Sequence, residues 1–193
     1  CRFILSCNYT SRLIEPIQSR CVVFRFKKHN AKDLEEKIES IAKLEGLTID
    51  KKALQAINYV CEGDLRKAVN ILETTSSMSK TITEKNVFVV SSKAKPDEIK
   101  EMISLALKGE FLKAREKLDY LLYEYGMSGE DVITQLYREV IDTPEEEISS
   151  KTKIELVSEI GEYNFRLTEG ANERIQIEAL IAQFMKYKKE GNP

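Results

Sequence analysis

Ile14-Glu15-Pro16-Ile17-Gln18-Ser19-Arg20-Cys21 is the stretch on which the reading of this chain turns. Pro16 suits the first turn of a short helical or turn segment, where its missing N–H costs nothing. The Ser19-Arg20-Cys21 triplet closes that segment just before the apolar run Val22-Val23-Phe24. Ahead of it, Phe3-Ile4-Leu5-Ser6-Cys7-Asn8 reads as a buried strand that delivers a polar Asn8 at its carboxyl end. The order is therefore strand, Asn8, short helix, Ser-Arg-Cys, strand. Arg20 has no local chemistry to perform, and a lone arginine in that place would be a solvated helix end.

Composition limits the classes open to the chain. Its 193 residues suit one or two domains with substantial cores. A hydrophobic fraction of 42%, a charged fraction of 32% and only 8 Gly and 4 Pro describe a helix-rich globular protein rather than a disordered one. No apolar run approaches the roughly 20 residues that cross a bilayer, and no signal peptide is visible. Cys1, Cys7, Cys21 and Cys61 lie in or beside apolar segments without Cys-x-x-Cys spacing, and there is one His. Reduced, buried thiols are expected, and no metal site. Residues 1–30 carry six cations (Arg2, Arg12, Arg20, Arg25, Lys27, Lys28) against Glu15 alone, a net of +5. The total of −2 leaves −7 for the remainder, so a phosphate-seeking opening precedes an acidic bulk. No Gly-x-x-x-x-Gly-Lys-Ser/Thr occurs, and no apolar strand ends in paired acids. The groups that cradle nucleotide phosphates and hold their metal are thus missing.

From residue 30 the apolar period becomes helical. Asn30, with Asp33 three residues on, caps a helix carrying Leu34, Ile38, Ile41 and Ala42, and Gly46 stops it. Asp50 caps a second, with Leu54, Ile57, Val60 and Cys61 on one face, ended by Gly63. Asp64 caps a third, with Leu65, Ala68, Val69 and Leu72. Such amphipathic helices cannot bury their stripes singly and should pack as a bundle. A polar stretch, Thr74 to Lys80, follows, and Thr83-Glu84 starts a brief helix through Val90. Ser91 to Pro96 is the best linker candidate. Five further helical stretches come next. Ile99, Met102, Ile103, Leu105 and Ala106 mark the first, and Phe111, Ala114, Leu118, Leu121, Leu122 and Tyr125 the second. Val132, Ile133, Leu136, Tyr137, Val140 and Ile141 mark the third, which stops before Pro144. A solvated Glu145-Glu146-Glu147 turn leads to the fourth, with Ile154, Val157, Ile160 and Leu167. Ile175, Leu180, Ile181, Phe184 and Met185 lie on the fifth. Lys186 to Lys189 place cations at a helix C-terminus, where the dipole favours them. Leu105-Ala106-Leu107 and Ala179 to Ala182 turn apolar side chains to several faces, more than one core should need.

The strand, Asn8, Ser-Arg-Cys and strand order, followed by these two helical groups, resembles the C-terminal part of replication factor C small subunits, the AAA+ clamp loaders of archaeal and eukaryotic DNA replication. The resemblance implies a mainly α chain read as three parts. Residues 1–28 would be a strand-helix-strand remnant of the AAA+ ATPase domain, 29–92 a lid of three or four helices, and 93–193 a five-helix collar that oligomerises. It implies that Arg20 is an arginine finger acting in trans on a neighbouring subunit's ATP. Asn8 would be sensor 1 beside the γ-phosphate, where an amide can donate to an oxygen and orient water. Gly63-Asp64-Leu65-Arg66 looks like the sensor 2 motif, with Arg66 reaching the ATP phosphate of its own subunit. A cation in a first helical turn opposes the dipole, so Arg66 gains little there locally; the plain alternative is an ion pair with a neighbour such as Glu62. Thr10, Ser11 and Arg12, at a helix start, suit a DNA phosphate and equally a solvated surface.

By the same resemblance the parent would use ATP and Mg2+. It would assemble with small and large clamp-loader subunits as a hetero-pentamer and act on a sliding clamp and primer-template DNA. The setting would be intracellular, cytoplasmic in an archaeon and nuclear in a eukaryote. Two other readings stay open: another clamp-loader-like AAA+ subunit, and a helical protein-interaction scaffold unrelated to ATP, although no repeat near 34 residues is visible. The chain opens at Cys1 inside what should be a sheet, and is expected to be the C-terminal part of a larger protein. Calorimetry of these 193 residues with Mg-ATP should therefore show neither micromolar binding nor turnover; micromolar affinity would mean that the phosphate site lies elsewhere than on the residues named.

Overall fold

The structure, a computed structural model, describes residues 1–187; Lys188 and Lys189 of the expected cationic end lie outside the described residues. Its elements run α1 (Glu15–Gln18), α2 (Ala31–Leu44), β1 (Thr48–Ile49), α3 (Lys51–Cys61), α4 (Leu65–Met78), β2 (Thr81–Ile82) and α5 (Glu84–Val90). After these come α6 (Pro96–Leu107), α7 (Phe111–Glu124), α8 (Gly129–Asp142), α9 (Ser150–Thr168) and α10 (Glu173–Phe184). Single 3-10 turns cover Thr10–Arg12 and Met185–Tyr187. The protein is mainly α, with a four-helix group (α2 to α5) followed by a five-helix group (α6 to α10).

Short side chains start these helices. Asn30 accepts from the Asp33 N–H, Asp50 from Ala53, Asp64 from Lys67 and Thr83 from Asn86. Each bond satisfies one donor that the first turn would leave open. Ser128 and Asp131 form a reciprocal capping box at α8. The interiors are apolar at 3-4 spacing: Leu34, Ile38 and Ala42 on α2, Ala53, Ile57 and Val60 on α3, Ala68, Ile71 and Leu72 on α4. A two-strand parallel ladder, Thr48 with Thr81 and Ile49 with Ile82, ties the approach to α3 to the approach to α5. Sequence periodicity carries no sign of a ladder this short.

Four expectations are corrected. Phe3–Asn8 and Val22–Phe26 form no strand, and Phe3, Ile4, Val22, Phe24 and Phe26 are exposed. A strand needs ladder partners for its N–H and C=O groups, and the described residues bring none beside either segment. Cys1, Cys7 and Cys21 are accordingly exposed, and Cys61 alone is a buried thiol, which burial pushes up to about 11. Helix α4 continues through the polar stretch after Thr74. The hydroxyls of Thr74, Thr75, Ser76 and Ser77 bond carbonyls three or four residues back, so they do not unwind the turn. Ile154 and Ile175 face solvent, while α9 buries Leu156, Ile160, Tyr163 and Leu167 and α10 buries Ile177, Leu180, Ile181 and Phe184. Helix α10 packs against α6, α7, α8 and α9 at once, which buries Leu180 and Ile181 while Ala182 stays exposed.

The Ser91–Pro96 connector joins the two helical groups and is itself held in place. Ala94 is fully buried, and the Gln135 amide on α8 pairs with it on both sides. Gln135 Oε1 accepts from the Ala94 N–H at 2.9 Å, and Gln135 Nε2 donates to the Ala94 carbonyl at 3.0 Å. The side chain thus does for one residue what a neighbouring strand would do. Replacing it strands two buried backbone groups away from water. Gln135→Ala should lower the free energy of unfolding by about 1–3 kcal/mol, read as a fall in the urea midpoint at unchanged slope; a change within a few tenths would mean the connector finds other partners.

Candidate functional site

The sequence-predicted site residues lie on separate pieces of structure. Asn8 is exposed at a bend after the extended opening segment. Thr10, Ser11 and Arg12 make up the 3-10 turn, and the Arg12 guanidinium stacks 5.0 Å from the Tyr9 ring centre. Arg20 follows α1, exposed, with Nη1 donating to the Pro16 carbonyl at 2.8 Å. That bond closes the turn by its own backbone and uses one of five guanidinium donors. Among the described residues Arg20 meets no acid. Arg66 is the second residue of α4, exposed beside Lys67 and also without an ion pair among the described residues. No hydrogen bond joins Asn8, Arg20 and Arg66, and neither α1 nor the preceding turn buries a residue against the helical body. Asn8 and Arg66 can each offer donors to a phosphate edge, but nothing encloses one. Among the described residues no group of three or more His, Cys, Asp or Glu side chains is gathered as a metal ion would need. No described helix is long and apolar enough to cross a membrane.

The expected alternative partner of Arg66 is taken. Glu62 ends α3 in the left-handed region (φ 52, ψ 40) and directs its carboxylate at three cations from three elements. Arg138 of α8 donates directly to Oε1; Lys93 Nζ lies 3.8 Å from Oε1, and Lys28 Nζ 3.9 Å from Oε2. Burial pushes the Glu62 carboxyl up, but the Arg138 bond and the charges of Arg138, Lys93 and Lys28 outweigh it, leaving it below the ordinary range. Burial, then the nearby cations Lys67 and Arg138, pulls the Lys93 ammonium down. Next to Glu62, Gly63 sits at φ +80 with its carbonyl accepting from the His29 N–H at 3.1 Å. A Cβ there would stand 2.6 Å from the His29 carbonyl oxygen, so the close approach and the positive φ both require glycine.

A second polar cluster lies beneath this corner. Tyr59 of α3 donates to Glu139 Oε1 at 3.1 Å, Gln135 Nε2 lies 3.5 Å from the Tyr59 hydroxyl, and Lys100 Nζ is 3.8 Å from Glu139 Oε2. Glu139 is 3% exposed, and burial raises its carboxyl above the ordinary value although the Tyr59 bond and Lys100 pull it back. Sequence reasoning named Glu62 only as a neighbour of Arg66 and missed its partners Lys93 and Arg138 and this cluster. One signal was available: Gln135 and Glu139 share the α8 stripe of Val132, Leu136 and Val140, where polar residues are buried only with partners.

Comparison with known proteins places this geometry in context. Residues 36–77 match the family of the RCF1/5-like AAA+ ATPase lid domain, and residues 94–183 that of the replication factor C C-terminal domain. The chain is 55% identical over 183 residues to a replication factor C small subunit of Pyrococcus horikoshii and 54% identical to that of Thermococcus kodakarensis. The match takes in 95% of this chain and 21% of each relative. A replication factor C small subunit of Methanococcus maripaludis is 54% identical over 183 residues, 95% of this chain and 57% of that protein. The chain thus spans from about a fifth to somewhat over half the length of these relatives.

Glu139 supplies a pH test of the buried cluster. Its raised carboxyl means the fold favours the protonated form; that contribution is present at pH below the ordinary carboxyl value and is lost as pH rises through the raised one. Glu139→Gln is neutral at every pH and keeps an acceptor for Tyr59. It should unfold at a higher temperature than wild type at pH 7, and the difference should shrink as the pH falls through the raised carboxyl value, levelling off once the pH is below the ordinary one. A variant less stable than wild type at pH 7 would show that the Lys100 and Tyr59 contacts outweigh the burial of charge.

Proposed function

Because this chain belongs to the replication factor C small-subunit family, we propose that it works as part of a clamp-loader small subunit, which uses ATP binding and hydrolysis to load a ring-shaped sliding clamp onto primer-template DNA. The observation that carries the reading is the join of two family matches in one chain with a Ser-Arg-Cys turn that leaves Arg20 exposed and without an acid among the described residues. Residues 1–28 then belong to the ATPase domain, 29–92 to the lid and 93–193 to the collar. The partners are small and large clamp-loader subunits in a hetero-pentamer, the clamp, and DNA. The archaeal relatives favour the cytoplasmic setting.

ATP with Mg2+, held in the parent by residues outside these 193, supplies the phosphoryl group and the charge that develops as its terminal bond breaks. Arg20 serves as the arginine finger in trans. Its planar cation, tethered among the described residues only to the Pro16 carbonyl, serves a neighbouring subunit. Asn8 acts as sensor 1, donating from its amide to a phosphate oxygen and orienting the attacking water. Arg66 acts as sensor 2 from the first turn of α4, where the helix dipole disfavours it unless an anion approaches. Thr10, Ser11 and Arg12 offer a phosphate contact to DNA. Collar assembly falls to the outer faces of α7 and α9, where Leu112, Tyr123, Ile154 and Phe165 are 70%, 77%, 72% and 59% exposed.

Arg20→Ala tests the central claim. In full-length subunits assembled with their partners, it should leave ATP binding by the mutated subunit nearly intact and slow hydrolysis at the adjoining site by about 10³-fold or more. Complexes carrying the change in one defined position report which site is slowed. Loss confined to the mutated subunit's own site would overturn the trans assignment.

A further inference from the structure

The Gly63-Asp64-Leu65-Arg66 corner is held from three directions, which an exposed helix connection does not need for its own stability. The Glu62 carboxylate meets Arg138 of the five-helix group, Lys93 of the connector and Lys28 of the opening segment. The Gly63 carbonyl accepts from the His29 N–H. The Asp64 carboxylate caps α4 through the Lys67 N–H at 3.0 Å. Glu62 pays for its place with a left-handed backbone, a conformation that non-glycine residues keep only where the surroundings impose it. An isolated exposed ion pair contributes little, but one carboxylate shared by three cations differs. Arg138 and Lys93 are largely covered, at 27% and 13% exposure, and without Glu62 they would face each other as like charges. Arg66 lies four residues beyond Glu62, at the start of the helix that this corner aims.

We infer that Glu62 is a positioning residue for Arg66: by joining the α3–α4 corner to α8 through Arg138 and to the connector through Lys93, it sets where α4 points Arg66 and links that aim to the five-helix group. The inference rests on the reading of Arg66 as a phosphate contact. Its consequence is that nucleotide contact and collar geometry share one joint. Rotation of the collar relative to the lid shifts Arg66, and capture of a phosphate by Arg66 biases the collar in return.

The test uses full-length subunits in the assembled complex, with ATP affinity and hydrolysis measured separately and the unfolding midpoint followed alongside. Arg66→Ala establishes whether the contact exists, and is expected to weaken ATP binding about 10-fold or more. Glu62→Gln preserves shape and removes the charge; it should weaken ATP binding about 5-fold. Arg138→Gln, on the other helical group and remote from α4 in sequence, should weaken it similarly. The two together should be no worse than either alone, because both break one joint. ATP affinity unchanged in Glu62→Gln and Arg138→Gln while Arg66→Ala weakens it would overturn the positioning role and leave the Arg66 reading standing. A lowered unfolding midpoint with unchanged ATP affinity would likewise reduce Glu62 to a structural bond. No effect of Arg66→Ala would overturn the reading of Arg66, and the inference with it.

Discussion

Gln135 holds both backbone groups of Ala94 from the middle of α8, and the relation between the two helical groups depends on that amide. A six-residue connector is too short to bury much apolar surface, and its N–H and C=O groups are costly to bury unpaired. By pairing with one residue on both sides, Gln135 lets Ala94 enter the core beside α8, against which α6 packs. Tyr59 and Glu139 then extend the same polar line from α8 to α3. The interior thus spans both groups, with Ala94 and Val87 on one side of the connector and Ile99 and Met102 on the other.

Burying polar groups costs free energy unless each finds partners, and partly satisfied networks do worse than apolar cores. This junction carries a tyrosine, a glutamine and a glutamate under cover, and an ion cluster at its rim. Glu139 is the exposed cost of the arrangement, with a carboxyl that burial pushes toward its neutral form. Such chemistry gives an orientation that oily packing does not, since hydrogen bonds lose strength with small changes of angle. The first turn of α4, with Arg66 as its second residue, grows from that junction.

The opening thirty residues show the opposite condition. Their apolar side chains, Ile4 at 99% and Phe26 at 96% exposed, have a strand-like sequence and no sheet to join. Local pattern supplied the alternation, while a ladder requires neighbours distant in sequence. The net positive charge of this segment and the solvent-facing Arg20 sit on a piece that meets the helical body at its end, where Lys28 faces Glu62 and His29 bonds Gly63.

Helix number, helix starts and most of the core were legible in the sequence, because each rests on contacts within a few residues. Asn30, Asp50, Asp64 and Thr83 are caps by their own reach, and Leu34, Ile38 and Ala42 face inward by the 3.6-residue period. The Ser19-Arg20-Cys21 turn was legible too, being closed by bonds back to Pro16 and Ile17. Tertiary structure decided everything that depends on distant partners. It set Gln135 on Ala94, forty-one residues away, and Arg138 on Glu62, seventy-six away. It turned Ile154 outward, enclosed α10 among four helices, and left Phe3 to Asn8 without a ladder. Period and propensity describe a residue's neighbours along the chain; the partner of a buried amide or carboxylate is chosen only when the helices meet.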